Sequence, residues 1–322
     1  MCKIFSIVIP IYKNELNLPI TISKIIEQIP ILFSTWRVEI ILVNDGSPDN
    51  SWEIMKEYQG KYPESIKIAR FTRNFGQTAA IYYGLSIAKG DVIGIISADL
   101  QDPFDLFPTM LKKWEEGYQL VCAVRKKRME KGVNVCISKL THKLIQKFIN
   151  DQYPEGGYDF YLMDASVSHA LLETREKNGQ PQISLLWLGV PTYFISYTRN
   201  KREIGKSGWT LAKKVKLFID IFTTYTYLPL RVMSFVGCLC ALCAFLYGAY
   251  LFIIALVETA IVPGWSALAV MITFFSGMIL FSLGIIGEYL WRIFDEVKQR
   301  PMYIVRENQG NQIQAKSQFE GK

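Results

Sequence analysis

The sequence predicts a parallel three-layer α/β sheet followed by a pair of membrane-spanning helices. Short aliphatic runs alternate with stretches of helical periodicity through much of the 322-residue chain. That alternation is typical of a parallel sheet covered by helices on both faces. Nearer the carboxyl terminus, residues 232–257 and 265–287 are two apolar runs. Each exceeds the roughly 20 residues that a helix needs to cross a bilayer.

Six apolar runs are the predicted strands, and most end in a polar, turn-forming stretch. They cover residues 4–9, 38–43, 66–71, 92–96, 120–124 and 193–197. Helical spacing follows the first run, where Leu18, Ile22, Ile25 and Ile29 recur, and again follows the second, third and fourth runs. In open α/β sheets ligands bind at the carboxyl ends of the strands, so these polar stretches are the expected site.

The fourth run carries the strongest functional signal. Residues 92–96 are aliphatic and lead directly into Asp99, Gln101 and Asp102, and Pro103 stops the strand. Oxygen-rich side chains at such an edge suit a hard divalent cation that carries substrate phosphates. The alternative is an acidic loop that caps the helix beginning near Asp105.

Composition excludes several other classes of site. The only histidines, His142 and His169, lie away from predicted strand ends, which argues against His-based triads and HExxH zinc sites. The net charge of +7 comes largely from lysines and arginines beside the apolar runs, so it does not indicate nucleic-acid binding. The six cysteines show no disulfide-framework spacing, which is consistent with reduced thiols in a cytoplasmic protein.

Charge asymmetry also predicts the membrane topology. Lysines and arginines precede the first span and follow the second, so both ends of the pair are expected in the cytoplasm, with residues 258–264 on the other side. No signal peptide is recognisable, which again places catalysis in the cytoplasm. The predicted organisation comprises a catalytic domain (1–205), a basic juxtamembrane helix (206–230), two transmembrane helices (231–291) and a cytoplasmic tail (292–322), polar and disordered from Asn308 onward.

A cationic turn follows the fifth strand. Residues 125–128 read RKKR, and directly behind them residues 133–148 carry an apolar stripe with lysines on the other side. This pattern fits either an amphipathic helix lying on the membrane interface or an ordinary docked helix. The turn itself is either a solvated loop or a binding site for an anion.

Taken in order, these motifs resemble the family 2 glycosyltransferases, and more narrowly the polyprenyl-phosphate glycosyltransferases related to dolichol-phosphate mannosyltransferase. The matching stretches are SIVIP (6–10), VNDGS (43–47), RNFGQ (73–77), ADLQDP (98–103), DFYLMD (159–164), GKS (205–207) and LGIIGEYL (283–290). The resemblance therefore extends over nearly the whole chain, to about residue 305.

The resemblance implies a GT-A-type, doubly wound, mostly parallel fold and inverting, metal-assisted transfer of a sugar. The donor would be a nucleotide-sugar, usually UDP-linked, and the acceptor a polyprenyl phosphate in a bacterial inner membrane. The implied site residues are as follows: Pro10, Tyr12, Glu15 and Asp45 for the nucleoside; Asp99 and Gln101 for Mg²⁺ or Mn²⁺; Arg125, Arg128 and Lys206 for the acceptor phosphate; and Asp159 with Asp99 at the reacting centre.

Two departures from the family pattern affect these expectations. The usual Asp-Ala-Asp is Ser97-Ala98-Asp99, and Tyr161 stands where an arginine is common. Loss of one carboxylate weakens a direct metal site, although Mg²⁺ can rely on waters and substrate phosphates. A processive polysaccharide synthase and a catalytically inactive membrane scaffold remain the alternative functions. The sequence leaves open the sugar and whether copies associate into a homo-oligomer.

Overall fold

The computed structural model describes residues 2–99, 101–126, 143, 145–147, 149–174, 179–199, 220, 223–257 and 264–310. The chain divides into two compact units. The first comprises residues 1–209 together with 301–322, and the second comprises residues 210–300. The predicted boundary between residues 205 and 206 and most of the predicted juxtamembrane helix lie outside the described residues.

The first unit is built on an eight-stranded mixed sheet. Its strands are β1 (Ile4–Ile11), β2 (Arg37–Asn44), β3 (Ile66–Phe71), β4 (Val92–Ile95), β5 (Leu120–Arg125), β6 (Phe160–Asp164), β7 (Thr192–Tyr197) and β8 (Val305–Gln309). The strand order is β7-β5-β6-β4-β1-β2-β3-β8. Strands β1 to β4 pair in parallel, as do β5 and β7, whereas β6 and β8 run antiparallel to their neighbours.

Helices cover both faces of this sheet. They are α1 (Leu18–Leu32), α2 (Ser51–Lys61), α3 (Gln77–Ile87), α4 (Phe107–Glu115), α5 (Ala165–Glu173) and α6 (Pro181–Trp187). Because side chains alternate along β1, Phe5 and Ile7 pack with α1 and α4 on one face, and Val8 packs with α3 on the other. Burial on both faces is the reason that these strands are largely apolar.

The strand order determines where a ligand site can form. From β1 the chain steps outward to β2 and β3, and then returns across the sheet to β4, which pairs with the opposite side of β1. The edge between β1 and β4 is therefore a topological switch point, where open α/β sheets bind ligands. Since β6 and β8 are antiparallel, Asp159, just before β6, and Tyr303, two residues before β8, also lie toward the carboxyl ends of the parallel strands.

The fold confirms the predicted doubly wound, mostly parallel sheet and each of the six predicted strands to within two residues. Strands β6 and β8 were not predicted. The expectation that disorder begins at Asn308 is wrong for that residue and Gln309, which pair with β3. Of the predicted amphipathic helix, Ile145 is described and is buried, whereas most of residues 133–148 lie outside the described residues.

The second unit contains two long helices, α7 (Leu228–Val257) and α8 (Trp265–Val297). Each includes a stretch that is long and apolar enough to cross a membrane, Leu228–Tyr250 and Phe274–Val297. Near the end of α8, Arg292 forms ion pairs with Asp220 at 2.8 Å and with Glu288 at 3.0 Å. The predicted loop between the spans lies outside the described residues except for Gly264.

Candidate active site at the sheet edge

Asp45, directly after β2, connects the loops that follow β2 and β3. Its side chain is almost fully buried and accepts hydrogen bonds from the backbone amides of Phe75, at 2.6 Å, and Gly76, at 2.9 Å. Gly46 has a φ of +62°, and a Cβ at this position would lie 2.3 Å from the backbone of Arg73. Only glycine permits this close approach, so the sequence NDG positions Asp45 against the second loop.

The loop after β1 is joined to the loop after β2 in a similar way. The Lys13 amide donates to Ser47 Oγ at 3.1 Å, and the Asn50 amide donates to Glu15 Oε2 at 3.0 Å. Tyr12 is 42% exposed beside these contacts, so its ring is available to a ligand, and Pro10 is partly buried. Hydrogen bonds thus fix these three loops relative to one another.

The loop after β4 holds a cluster of two carboxylates and one hydroxyl. Ser97 Oγ lies 2.7 Å from Asp99 Oδ1 and 2.9 Å from Asp102 Oδ2. A hydroxyl has a single proton, so Ser97 can donate to only one of the two carboxylates at a time. The amide of Gln101 donates to Asp99 Oδ1 at 3.3 Å, which keeps this carboxylate oriented at the end of the strand.

Asp102 is the buried centre of a larger polar network. Its carboxylate accepts a hydrogen bond from the hydroxyl of Tyr197, at the end of β7, and pairs with Arg199 Nε at 3.5 Å. A guanidinium nitrogen of Arg199 also lies 4.0 Å from Asp99 Oδ2. The Asp102 side chain has no exposed surface, so these partners compensate for the cost of burying its charge.

Tyr197 extends the network to the acceptor side of the predicted site. Its hydroxyl also interacts with Arg125, its partner in the β5–β7 register. Arg125 in turn pairs with Asp159 at 2.5 Å, and Gln182 on α6 lies 3.4 Å from the other oxygen of Asp159. One chain of contacts therefore joins the carboxylates after β4 to Asp159 before β6.

The site environment shifts three of these ionisation equilibria. Burial raises the pKa of Asp45 above the ordinary value of 3.8, and the amides of Phe75 and Gly76 oppose this shift only in part. Burial and the neighbouring Asp102 raise the pKa of Tyr197, so its hydroxyl stays protonated and donates at neutral pH. Burial alone would lower the pKa of Arg125, but Asp159 and Tyr197 outweigh it and raise the pKa.

The oxygen donors after β4 fit a hard divalent cation held in part by its substrate. Asp99 supplies a carboxylate that is 10% exposed, and Gln101 is partly buried beside it. Within the described ranges, no group of three or more His, Cys, Asp or Glu side chains could hold a metal ion by itself. A cation here would complete its coordination with phosphate oxygens and water, which is the usual arrangement for Mg²⁺.

The structure locates eight of the ten predicted site residues. Pro10 lies near the end of β1, Tyr12 and Glu15 lie in the loop that follows β1, Asp45 lies directly after β2, and Asp99 and Gln101 lie after β4. The network joins Asp99 to Arg125 and Asp159. Arg128 and Lys206 lie outside the described residues.

Sequence reasoning did not assign Ser97, Tyr197, Arg199 or Gln182 to the site. A signal for two of them is present, because Tyr197 ends a predicted strand and Arg199 follows two residues later. Polar residues at the carboxyl end of a strand in such a sheet are site candidates. Gln182 lies on α6, a helix that the sequence does not predict. It does not follow a predicted strand, so the same signal is absent for this residue.

The departure at Tyr161 has a structural explanation. The side chain lies in β6 with no exposed surface and packs against Tyr158, with ring centroids 5.6 Å apart. Its ring belongs to the core cluster on the α3 face of the sheet. Tyr161 therefore acts as a core residue and contributes no charge to the network.

Fold and site together define a doubly wound α/β domain with carboxylates and arginines at its switch point, in a chain that also has two span-length apolar helices. Residues 6–169 match the family model described as "Glycosyl transferase family 2". The chain therefore belongs to glycosyl transferase family 2.

Individual relatives match almost end to end. "Uncharacterized glycosyltransferase YkcC" from Bacillus subtilis is 37% identical over 95% of this chain and 94% of its own length. "SfII prophage-derived bactoprenol glucosyl transferase" from Shigella flexneri is 34% identical over 94% of this chain and 97% of its own length.

Solved structures are similar in fold. Glucosyl-3-phosphoglycerate synthase from Mycobacterium tuberculosis, in complex with phosphoglyceric acid, superposes with a TM-score of 0.50 at 18% identity. The match covers 69% of this chain and 80% of that chain. This likeness confirms the predicted GT-A-type fold.

Proposed function

We propose that this glycosyltransferase transfers a hexose from a UDP-sugar to a membrane polyprenyl phosphate. The observation that carries the proposal is the polar network from Asp99 to Asp159, in a chain with two span-length helices. The network has a carboxylate for the donor diphosphate and its cation at one end, and an arginine for an anionic acceptor at the other. Several full-length relatives named bactoprenol glucosyl transferase support a lipid phosphate as acceptor and glucose as the first sugar to test.

In this proposal different residues bind different parts of the nucleotide-sugar donor. Pro10, Tyr12, Glu15 and Asp45 line the nucleoside pocket, and Asp99 with Gln101 would hold Mg²⁺ or Mn²⁺ at the diphosphate. The cation would supply positive charge where the leaving diphosphate becomes more negative. Arg199, beside Asp99 and Asp102, adds a fixed positive charge close to the same place.

The acceptor phosphate is placed by Arg125, together with Arg128 and Lys206. An arginine is suited to this role because its planar guanidinium can make paired hydrogen bonds to phosphate oxygens. One phosphate oxygen attacks the anomeric carbon while the bond from that carbon to the UDP oxygen breaks, so UDP leaves and the configuration inverts. Tyr197 and Asp159 fix the guanidinium of Arg125 in position for this step.

The first experiment is a donor panel. Membranes containing the protein are incubated with radiolabelled UDP-sugars, GDP-mannose among them as an alternative nucleotide, and then extracted for lipid. We expect one labelled sugar per polyprenyl phosphate from a UDP-sugar. A polymer would instead indicate a processive synthase, and absence of product from every donor would favour an inactive scaffold.

We further propose a bacterial inner-membrane protein with the catalytic unit in the cytoplasm, since lysines and arginines flank the pair of span-length helices. A cysteine introduced at Thr259 in a chain freed of native cysteines should react with an impermeant thiol reagent added to spheroplasts. A cysteine introduced at Asn311 should react only after the membrane is opened. The reverse pattern would contradict the proposed topology.

Binding of nucleic acid is not expected, and self-association remains a prediction to be tested by size measurement in detergent.

A further inference from the structure

The segment that follows α8 belongs to the first unit and packs beside the loop that follows β3. Strand β8 pairs with β3, and the amide of Thr72 donates to the carbonyl of Ile304 at 3.0 Å. Because β8 is antiparallel to β3, Tyr303, two residues before β8, lies at the edge where β3 ends. The polar sequence of β8, VRENQ, gives no sign of this placement.

Tyr303 belongs to an aromatic cluster at that edge, which is centred on Phe71. Its ring stacks on Phe71, the last residue of β3, with centroids 5.2 Å apart and planes inclined by 2°. It also contacts Tyr83 of α3 edge to face at 5.3 Å. Phe71 in turn contacts Phe75 edge to face at 5.9 Å. Stacked and edge-to-face rings at these separations attract one another beyond the effect of burial alone.

This cluster supports the loop that holds Asp45. Phe75 is the residue whose amide donates to Asp45 Oδ1, and the next amide, that of Gly76, donates to Oδ2. Arg73 packs over the Phe75 ring, with its guanidinium carbon 4.1 Å from the centroid. The Phe75 ring therefore contacts both Arg73 and Phe71, and Phe71 in turn stacks on Tyr303.

We propose that Tyr303 is a positioning residue for donor binding, acting through Phe71 and Phe75 on the carboxylate of Asp45. The part of this inference that concerns the donor rests on the proposed function. The mechanical part does not, since it states only that Tyr303 fixes the two amides that hold Asp45. The carboxyl-terminal segment thereby contributes to the nucleotide side of the site although it lies more than 200 residues from Asp45 in sequence.

Hydrogen exchange tests the mechanical part without any substrate. In the full-length protein in detergent, Tyr303→Leu keeps an apolar side chain but removes the ring contacts. Peptides covering residues 72–77 should then exchange about tenfold faster, the change expected from losing two aromatic contacts. Tyr303→Phe should exchange as the parent does, because the contacts are made by the ring.

Tyr118→Leu is the matched control. Tyr118 is also partly buried and packs against one ring, that of Tyr193, but it precedes β5 at the opposite edge of the sheet. Unchanged exchange at residues 72–77 in Tyr303→Leu would overturn the proposal. An equal acceleration at these residues in both leucine variants would also overturn it, since the effect would then be general destabilisation.

Kinetics with the donor identified by the panel test the functional part. Tyr303→Leu should raise the KM for the nucleotide-sugar about tenfold and leave the KM for lipid phosphate unchanged. Tyr303→Phe should have the same KM for the nucleotide-sugar as the parent. Equal rises in both KM values would reject the positioning role. Failure of the donor panel would reject the proposed function and leave the exchange result to decide the mechanical inference.

Discussion

Asp99→Asn is expected to lower kcat/KM by roughly 100- to 1,000-fold, which corresponds to about 3 to 4 kcal/mol of transition-state stabilisation. The asparagine keeps the size of the side chain but removes the negative charge that would hold the cation at the donor diphosphate. Asp99 also lies 4.0 Å from Arg199, so the substitution changes the charge balance of the whole cluster after β4. Initial rates at saturating lipid phosphate, measured across a range of Mg²⁺ and Mn²⁺ concentrations, give the effect.

Asp105→Asn is the matched control for this substitution. Asp105 is an exposed carboxylate in the same segment, and its replacement should leave the rate within about twofold of the parent, as is usual for surface changes. Full activity of Asp99→Asn in excess chelator would show that Asp99 has neither a metal-binding nor a catalytic role.

Ser97→Asp is a second test of metal binding in the loop that follows β4. An aspartate here would bring a third carboxylate close to Asp99 and Asp102, which now lie 2.7 and 2.9 Å from Ser97 Oγ. Like charges at this separation repel each other, and a bound cation relieves the repulsion. The Mn²⁺ concentration that gives half-maximal activity should therefore fall, and a rise would contradict the assignment of metal binding to this loop.

The sequence predicted the parts of the fold that have a strong local signal. Strands β1 to β5 are buried on both faces, so each appears as an aliphatic run bounded by turn-forming residues. Strand β8 lies at the edge of the sheet and is largely exposed, so its sequence is polar. Strand β6 lies within the stretch DFYLMD that resembles a family motif, and its five residues are too few to display a clear period.

Asp45, Asp99 and Gln101 are predictable because they follow strands, and the family resemblance implies the other site residues, but the contacts between them depend on tertiary structure. Asp102 and Tyr197 are 95 positions apart in sequence, and their hydrogen bond requires the order β7-β5-β6-β4. The two amides bonded to Asp45 likewise come from the loop of a neighbouring strand. Local patterns identify the chemistry of such residues, whereas strand order determines their partners.

Asp159→Asn is expected to lower kcat substantially and to retain an acidic limb near pH 6 in kcat/KM. A phosphate monoester has its second pKa near 6, so the acceptor oxygen is already mostly deprotonated above about pH 7 and needs no general base. As the pH falls through about 6, the acceptor gains a proton, and both its nucleophilicity and its attraction to Arg125 decrease. The limb therefore belongs to the acceptor and should persist when Asp159 is replaced.

The structure supports an orienting role for Asp159. Its carboxylate is paired with Arg125 at 2.5 Å, and Gln182 approaches its other oxygen at 3.4 Å, so it fixes the guanidinium that would receive the phosphate. In Asp159→Asn the guanidinium loses an anionic partner that would compete with the acceptor for it. The KM for lipid phosphate should consequently not rise, even though the less ordered arginine lowers kcat.

The measurement is a pH profile of kcat/KM for the parent, for Asp159→Asn and for Asp151→Asn, an exposed carboxylate in the preceding segment. The Asp151 variant should match the parent throughout. If Asp159 were the general base, its removal would also remove the acidic limb and leave the rate depressed at high pH. Loss of the limb together with a depressed plateau would therefore reject the orienting role, whereas a lowered plateau with the limb retained near pH 6 would support it.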